Sequence, residues 1–203
     1  LATGCDSTSN VNLIINPSPI IYAGADQVLC EATPVTLSAS GAPNIVWDNS
    51  ATNGVPFSQA VGTITYTATG TDANGCIGSD MVDVTIIPLP TATIAGTITV
   101  CQNDPSPTIT FTGANGTAPY TFTYNINGGT NQTITSVGAI ATITAPTGTV
   151  GIDDYNLVSV SESSATGCAQ AQAGTATVTV NELPTATISG TATVCQNDAG
   201  PII

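Results

Sequence analysis

The sequence predicts an all-β chain of tandem β-sandwich domains, and three observations carry that prediction. Apolar residues alternate with Thr and Ser at period two in one short run after another, as half-buried strands require. Thr, Val and Ile dominate, with Gly, Pro and Asn between the runs, and no stretch shows the period of an amphipathic helix. A fifteen-residue motif also recurs 94 residues after its first appearance, about one domain length.

That motif reads PTATIAGTITVCQND at 90–104 and PTATISGTATVCQND at 184–198, differing only at positions 95 and 98. A second recurring element is Ala2-Thr3-Gly4-Cys5, Ala73-Asn74-Gly75-Cys76 and Ala165-Thr166-Gly167-Cys168, each followed by an alternating run and then a Pro. It reads as the turn and last strand of three successive domains. Boundaries then fall at Pro17-Ser18-Pro19, Pro88-Leu89-Pro90 and Leu183-Pro184, short joints stiffened by proline. The expected organisation is the end of one domain at 1–17, a complete domain at 18–88, a longer complete domain at 89–183 and the opening of another at 184–203. The chain is accordingly expected to be a piece of a longer array.

The strands follow in order. In the first complete domain Val35, Leu37 and Ala39 share one face of a strand, and Ile45 and Trp47 share the next, with Trp47, the one Trp, as core anchor. Ile64, Tyr66 and Ala68 alternate with Thr in the penultimate strand, and Asn74-Gly75 tolerates the positive φ of a tight hairpin turn. Val82, Val84 and Ile86 form the last strand. In the second domain the core is expected from Ile109 and Phe111, then Tyr120, Phe122 and Tyr124. Asn127-Gly128-Gly129 turns the chain. Ile140 and Ile143, Tyr155 and Leu157, and Ala176, Val178 and Val180 complete the set. Short, regularly spaced strands of this kind indicate a sandwich.

Composition removes most function classes. The 203 residues hold no Lys, Arg or His against thirteen Asp and Glu, a net charge of −13. Binding nucleic acid needs cations to displace counterions from phosphates, and an anionic membrane surface repels such a chain. Without His there is no imidazole base, no Ser-His-Asp triad and no His-ligated metal; without Lys there is no Schiff base and no Lys–Asn isopeptide bond. Hydrophobic content of 41% suffices for packed cores, and charged residues are only 6%. No run has the length of a transmembrane helix, so direct membrane insertion is not expected. No catalytic residue is assigned, and the chain reads as non-enzymatic.

Six Cys in so small a chain point to an oxidising, extracellular setting. Their spacing does not suit a zinc site, because no two lie within a few residues of each other. Each complete domain holds an early and a late Cys, which favours Cys30–Cys76 and Cys101–Cys168, with Cys5 and Cys195 pairing outside the chain. Each bridge would contribute about 4 kcal/mol by loop closure. Two alternatives stay open. The intervals 5→30, 76→101 and 168→195 are nearly constant, which suits pairing across each joint. If the two cysteines of a domain sit at opposite poles, Cys30 would instead join Cys168 of the next domain.

Other candidates are weaker. Asp153-Asp154 is the one adjacent acidic pair, a chemistry that suits Ca²⁺, but it reads better as a solvated loop entering a strand. Asp72-Ala73-Asn74-Gly75 lacks the spacing and closing Glu of a calcium loop and reads as a hairpin turn. No cofactor or metal is therefore expected. The scattered acids place no pair for glycoside hydrolysis. Asp6-Ser7-Thr8 fits a bacterial O-glycosylation pattern with Ser7 as carrier, whereas the sequons at Asn115 and Asn131 are of eukaryotic type. Thr-rich faces offer hydroxyls to polysaccharide, but the few aromatics alternate into the core.

The stretch from Ala23 to Cys76 (AGADQVLCEATPVTLSASG, a Trp strand, then TYTATGTDANGC) resembles the PKD-like and Ig-like modules of giant secreted proteins of Bacteroidetes. The PTATI…VCQND…SATGC unit is similar to the repeats of SprB-like gliding-motility adhesins of flavobacteria. The resemblance covers essentially the whole chain. It implies an Ig-like sandwich array in a cell-surface filament exported by type IX secretion, acting in attachment and gliding. Its implied partners are neighbouring domains of the same chain, polysaccharide or abiotic surfaces, and the gliding and secretion machinery. Two other functions stay open: a carbohydrate-binding module of a secreted polysaccharide-degrading protein, and a self-associating matrix or sheath.

Overall fold

A computed structural model describes residues 4, 9, 11–191 and 193–197. Its described residues form thirteen strands and no helix, and the fold is all-β. Contacts divide the chain into two units, residues 1–89 with 164–168, and 90–163 with 169–203.

The first unit holds β1 (Gln27–Cys30), β2 (Asn44–Trp47), β3 (Gly62–Thr71) and β4 (Ile77–Ile87) in one sheet of order β1-β4-β3-β2. The hairpin of β3 and β4 is its centre, and β1 joins β4 in parallel. The period-two pattern sends Tyr66, Ala68, Val82, Val84 and Ile86 inward, while Thr63, Thr65, Thr67, Thr69 and Thr71 line the outer face. Ile64, expected inside, is partly exposed near the strand's open end. Val35 and Leu37 are fully buried as expected, but their segment is not a continuous strand. It is held by isolated bridges, Val35 to Phe57 and Tyr22 to Ser40. Pro34 before it and Gly41-Ala42-Pro43 after it deny the segment a full ladder.

Trp47 is the anchor the sequence suggests, 4% exposed, with its indole N–H donating to Asn53 Oδ1 at 3.0 Å. The same Asn53 oxygen accepts from the Ala39 amide at 2.7 Å, and its NH₂ donates to the Ala39 carbonyl. One carboxamide thereby substitutes for a missing strand partner and satisfies the buried indole.

The second unit begins with β5 (Thr91–Ala95) and β6 (Ile98–Cys101), both inside the repeated motif. They belong to different sheets. β5 pairs antiparallel with β7 (Thr108–Ala114), which pairs with β10 (Ile140–Thr144). β6 runs parallel to β13 (Thr175–Asn181) at the edge of a larger sheet. That sheet continues through β11 (Gly151–Ser161) and β8 (Thr121–Ile126) to β9 (Gln132–Thr135), with β12 (Ala169–Ala171) also on β11. Gly96 makes the switch between sheets, at φ +127, where a Cβ would come within 2.6 Å of the Thr108 carbonyl oxygen.

The two sheets enclose a core of Ile109, Phe111, Tyr120, Phe122, Tyr124, Tyr155, Leu157, Val160, Ala176, Val178 and Val180, which includes nearly every residue the alternation marks. Phe111 lies 5.6 Å from Phe122 and 5.1 Å from Tyr124, ring centre to ring centre, a packing that aromatic quadrupoles favour. Ile140 and Ile143 do not both point inward. Their odd spacing puts them on opposite faces of β10, so Ala141 and Ile143 pack inward and Ile140 is exposed. The chain turns at Asn127-Gly128-Gly129 as expected, with Asn127 and Gly128 at φ +54 and +70 and the Gly129 amide bonded to the Ile126 carbonyl.

Candidate functional site

Four of the five described cysteines occupy two kinds of position. The first kind ends a short parallel strand. Cys30 ends β1 opposite Ile87, and Cys101 ends β6 opposite Asn181. The chain then turns identically at both. The next amide bonds across the ladder, Glu31 to the Ile87 carbonyl and Gln102 to the Asn181 carbonyl, each at 2.8 Å. The residue after that takes positive φ, +67 at Ala32 and +65 at Asn103, and Asn197 repeats this at +77 two residues past Cys195.

The second kind follows a Gly in a turn. Cys76 ends the β3–β4 loop Asp72–Cys76, where the Asp72 carboxylate accepts from the Asn74 amide at 2.9 Å and the Cys76 amide at 2.8 Å. This is an Asx-type turn, five residues long rather than the two-residue hairpin expected at Asn74-Gly75. Cys168 closes the turn Ser164–Gly167 in the same way, the Gly167 amide bonding Ser164 as Gly75 bonds Asp72.

Cys30 and Cys168 form a disulfide with Cα atoms 5.7 Å apart and a sequence separation of 138. The intradomain pairs expected from the sequence, Cys30–Cys76 and Cys101–Cys168, are not formed. Cys30 lies opposite Ile87 at the far end of β4, whereas Cys76 adjoins its first residue, Ile77. Eleven strand residues separate the two, roughly 33 Å at the usual rise, while a disulfide tolerates less than about 7 Å between Cα atoms. The same holds along β11. Cys101 sits by Asn181 at the Gly151 end of β11, and Cys168 precedes Ala169, which pairs with Ser161 at its other end. Pairing across the joints is excluded too, because Cys30 and Cys168 are bonded to each other and Cys76 and Cys101 are free thiols, both half-buried. Cys195 is exposed, and Cys5, Asp6, Ser7 and Thr8 lie outside the described residues.

Many of the acidic residues serve the backbone. Amides of Ala23, Asp83, Leu89, Thr67, Cys101 and Thr117 donate to the carboxylates of Asp80, Asp26, Glu31, Asp48, Asp104 and Glu162 respectively. In a chain without cations these contacts supply the stabilisation that carboxylates otherwise take from Lys and Arg. Asp153 and Asp154 lie within β11, not in the solvated loop expected from the sequence. Being consecutive on a strand, they project from opposite faces. Asp153 accepts from Asn127 Nδ2 at 2.9 Å and Asp154 from Thr177 Oγ1 at 2.7 Å. Two carboxylates so divided do not chelate one cation, and among the described residues no group of three or more Cys, Asp or Glu stands ready to hold a metal.

Burial pushes the phenols of Tyr66 and Tyr155 up from their usual pKa, and the nearby carboxylates Asp48 and Asp153 add to it. Trp47, Tyr66, Phe111, Tyr120, Phe122, Tyr124 and Tyr155 are all buried, leaving Tyr22 as the one substantially exposed aromatic among the described residues. A stacking platform for sugars is therefore not assembled.

No family model and no curated protein matches the sequence. Solved structures do match. The fibronectin(III)-like modules of Clostridium thermocellum CbhA share 14% identity at a TM-score of 0.36, covering 84% of this chain and 100% of that one. A Ca²⁺-stabilised adhesin with which an Antarctic bacterium binds ice shares 15% at 0.46, covering 84% and 51%. A 1.5-MDa bacterial ice-binding adhesin shares 17% at 0.44, covering 82% and 66%, so this chain spans about half to two thirds of the adhesin chains it matches.

Proposed function

We propose that the chain is a structural segment of a secreted cell-surface adhesin, its sandwich modules acting as links of an extended stalk. The observation that carries this is the Cys30–Cys168 disulfide, which closes a loop over a sequence separation of 138. A covalent tie spanning 138 residues suits a chain that must transmit tension outside the cell, where disulfides persist. The repeated motif at 90 and 184 supports an array, and seven carboxylates accept hydrogen bonds from backbone amides. On the resemblance to SprB-like repeats, the adhesin serves gliding and attachment in a flavobacterium and leaves the cell by type IX secretion. A net charge of −13 keeps neighbouring filaments apart over about 8 Å at physiological salt.

Antibody against this chain should label intact, unpermeabilised producer cells, and deleting the repeat region in frame should reduce attachment or gliding while cells still grow. Label confined to permeabilised cells would overturn the reading. So would specific, saturable micromolar binding on a glycan array, which would instead make these modules the carbohydrate-binding part.

A further inference from the structure

We propose that Cys76 and Cys101 are acceptors for the same cross-link as Cys30–Cys168, each taking a cysteine of a further module of this kind. Cys101 takes a turn cysteine equivalent to Cys168, and Cys76 takes a strand-end cysteine equivalent to Cys30. Three independent observations converge on this.

Cys101 has the backbone setting of Cys30 in every respect described above: last residue of a parallel strand, the same cross-ladder amide, the same positive φ two residues on. Cys30 in that setting is bonded to a turn cysteine following a Gly. Cys76 is a turn cysteine in the setting of Cys168. Neither reaches a cysteine of its own module, because a whole strand length intervenes.

The position of Asn16 shows where the partner of Cys76 belongs. The run VNLIINP at 11–17 matches VDVTIIP at 82–88, so Asn16 is the counterpart of Ile87. Ile87 is the residue against which Cys30 lies in register. Cys76 Sγ lies 3.7 Å from the Asn16 carbonyl oxygen. A strand-end cysteine paired with Asn16 as Cys30 is paired with Ile87 would therefore arrive one strand spacing, about 4.8 Å, from the backbone that Cys76 already touches.

The rule that emerges joins the strand-end cysteine of each module to the turn cysteine of the next, so successive modules are linked one to another along the array. Each link forms from two thiols with loss of two protons and two electrons. A disulfide oxidant, such as a thiol-disulfide oxidoreductase or oxidised glutathione, accepts the electrons and is reduced to two thiols. The proposal requires only that modules stand in tandem, so it stands or falls separately from the stalk function.

The test uses the chain as it is and two extended chains, one with residues 90–183 repeated once after Leu183 and one with residues 18–88 repeated once. Each is equilibrated in a glutathione redox buffer, alkylated, digested with pepsin (trypsin has no site here) and mapped without reduction. In the 203-residue chain, Cys30–Cys168 is expected, with Cys76 and Cys101 alkylated. In the first extended chain Cys101 loses its alkylation and appears bonded to the second copy of Cys168. In the second, Cys30 of the first copy appears bonded to Cys76 of the second. Cys101→Ser removes the new link while Cys30–Cys168 persists in the same digest. Full alkylation of Cys101 in the extended chain, its pairing with Cys168 of its own module, or loss of Cys30–Cys168 on extension would each overturn the proposal.

Discussion

Pulled from its two ends, the oxidised chain should hide most of its length. The perturbation is Cys30→Ser, or reduction of the wild-type chain. Tension enters at Cys30 and leaves at Cys168, so everything between them is bypassed while the bond holds. Taking the 138-residue separation from the 203 residues leaves 65 that tension can extend. At about 3.5 Å per residue the bypassed segment represents roughly 480 Å of contour, and the exposed part roughly 230 Å. The bypassed segment contains β2 to β11, and with them Phe111, Phe122, Tyr155 and most of both cores. Single-molecule force spectroscopy with and without dithiothreitol reads the difference directly. Release of the full contour length from oxidised protein, or equal contour lengths for wild type and Cys30→Ser, would refute the reasoning. The same bond should matter at equilibrium, where closing a loop of this size contributes about 5 kcal/mol in the chain-entropy model.

Asn53→Ala should destabilise the first unit by about 1–3 kcal/mol, because it leaves the Trp47 indole N–H and the Ala39 amide without their acceptor. Trp47 is the one tryptophan, so its fluorescence during urea unfolding reports this unit alone. Phe122→Ala, emptying a fully buried site against Phe111, should cost about 3–5 kcal/mol and be seen by circular dichroism without shifting the Trp47 transition. Tyr66 and Tyr155 hold their protons longer folded than unfolded, so the stability they contribute is present below pH 10 and is lost as pH rises through their raised folded values. Tyr155→Phe should then remove part of the phenolate absorbance that develops above pH 10. Complete tyrosine ionisation by pH 10 in still-folded protein would contradict the burial argument.

The alternation of apolar residues with Thr was enough to identify the inward faces of β4, β8, β11 and β13, since side chains on a strand change sides at every residue whatever the strand packs against. It failed where local pattern and long-range pairing part company. The Val35–Leu37 segment alternates like a strand yet lacks a continuous partner, and Asp153-Asp154 reads as a loop only until β11 is seen to run through it on ladders to β8 and β13. The Asx turn at Asp72 needed five residues, a length set by the register of Thr71 against Ile77.

The cysteines that opened the question of cross-linking divide along the same line. The sequence by itself determined that this chain has no cation, no imidazole and six thiols, and that it is built of strands, because those are properties of residues and their nearest neighbours. Which thiols meet is decided by tertiary structure. Cys30 and Cys76 are partners by count, but they flank opposite ends of one eleven-residue strand, and its rigid length holds them apart. The bond to Cys168 follows from where two chain ends of a ladder fall in space, information carried by no spacing in the sequence.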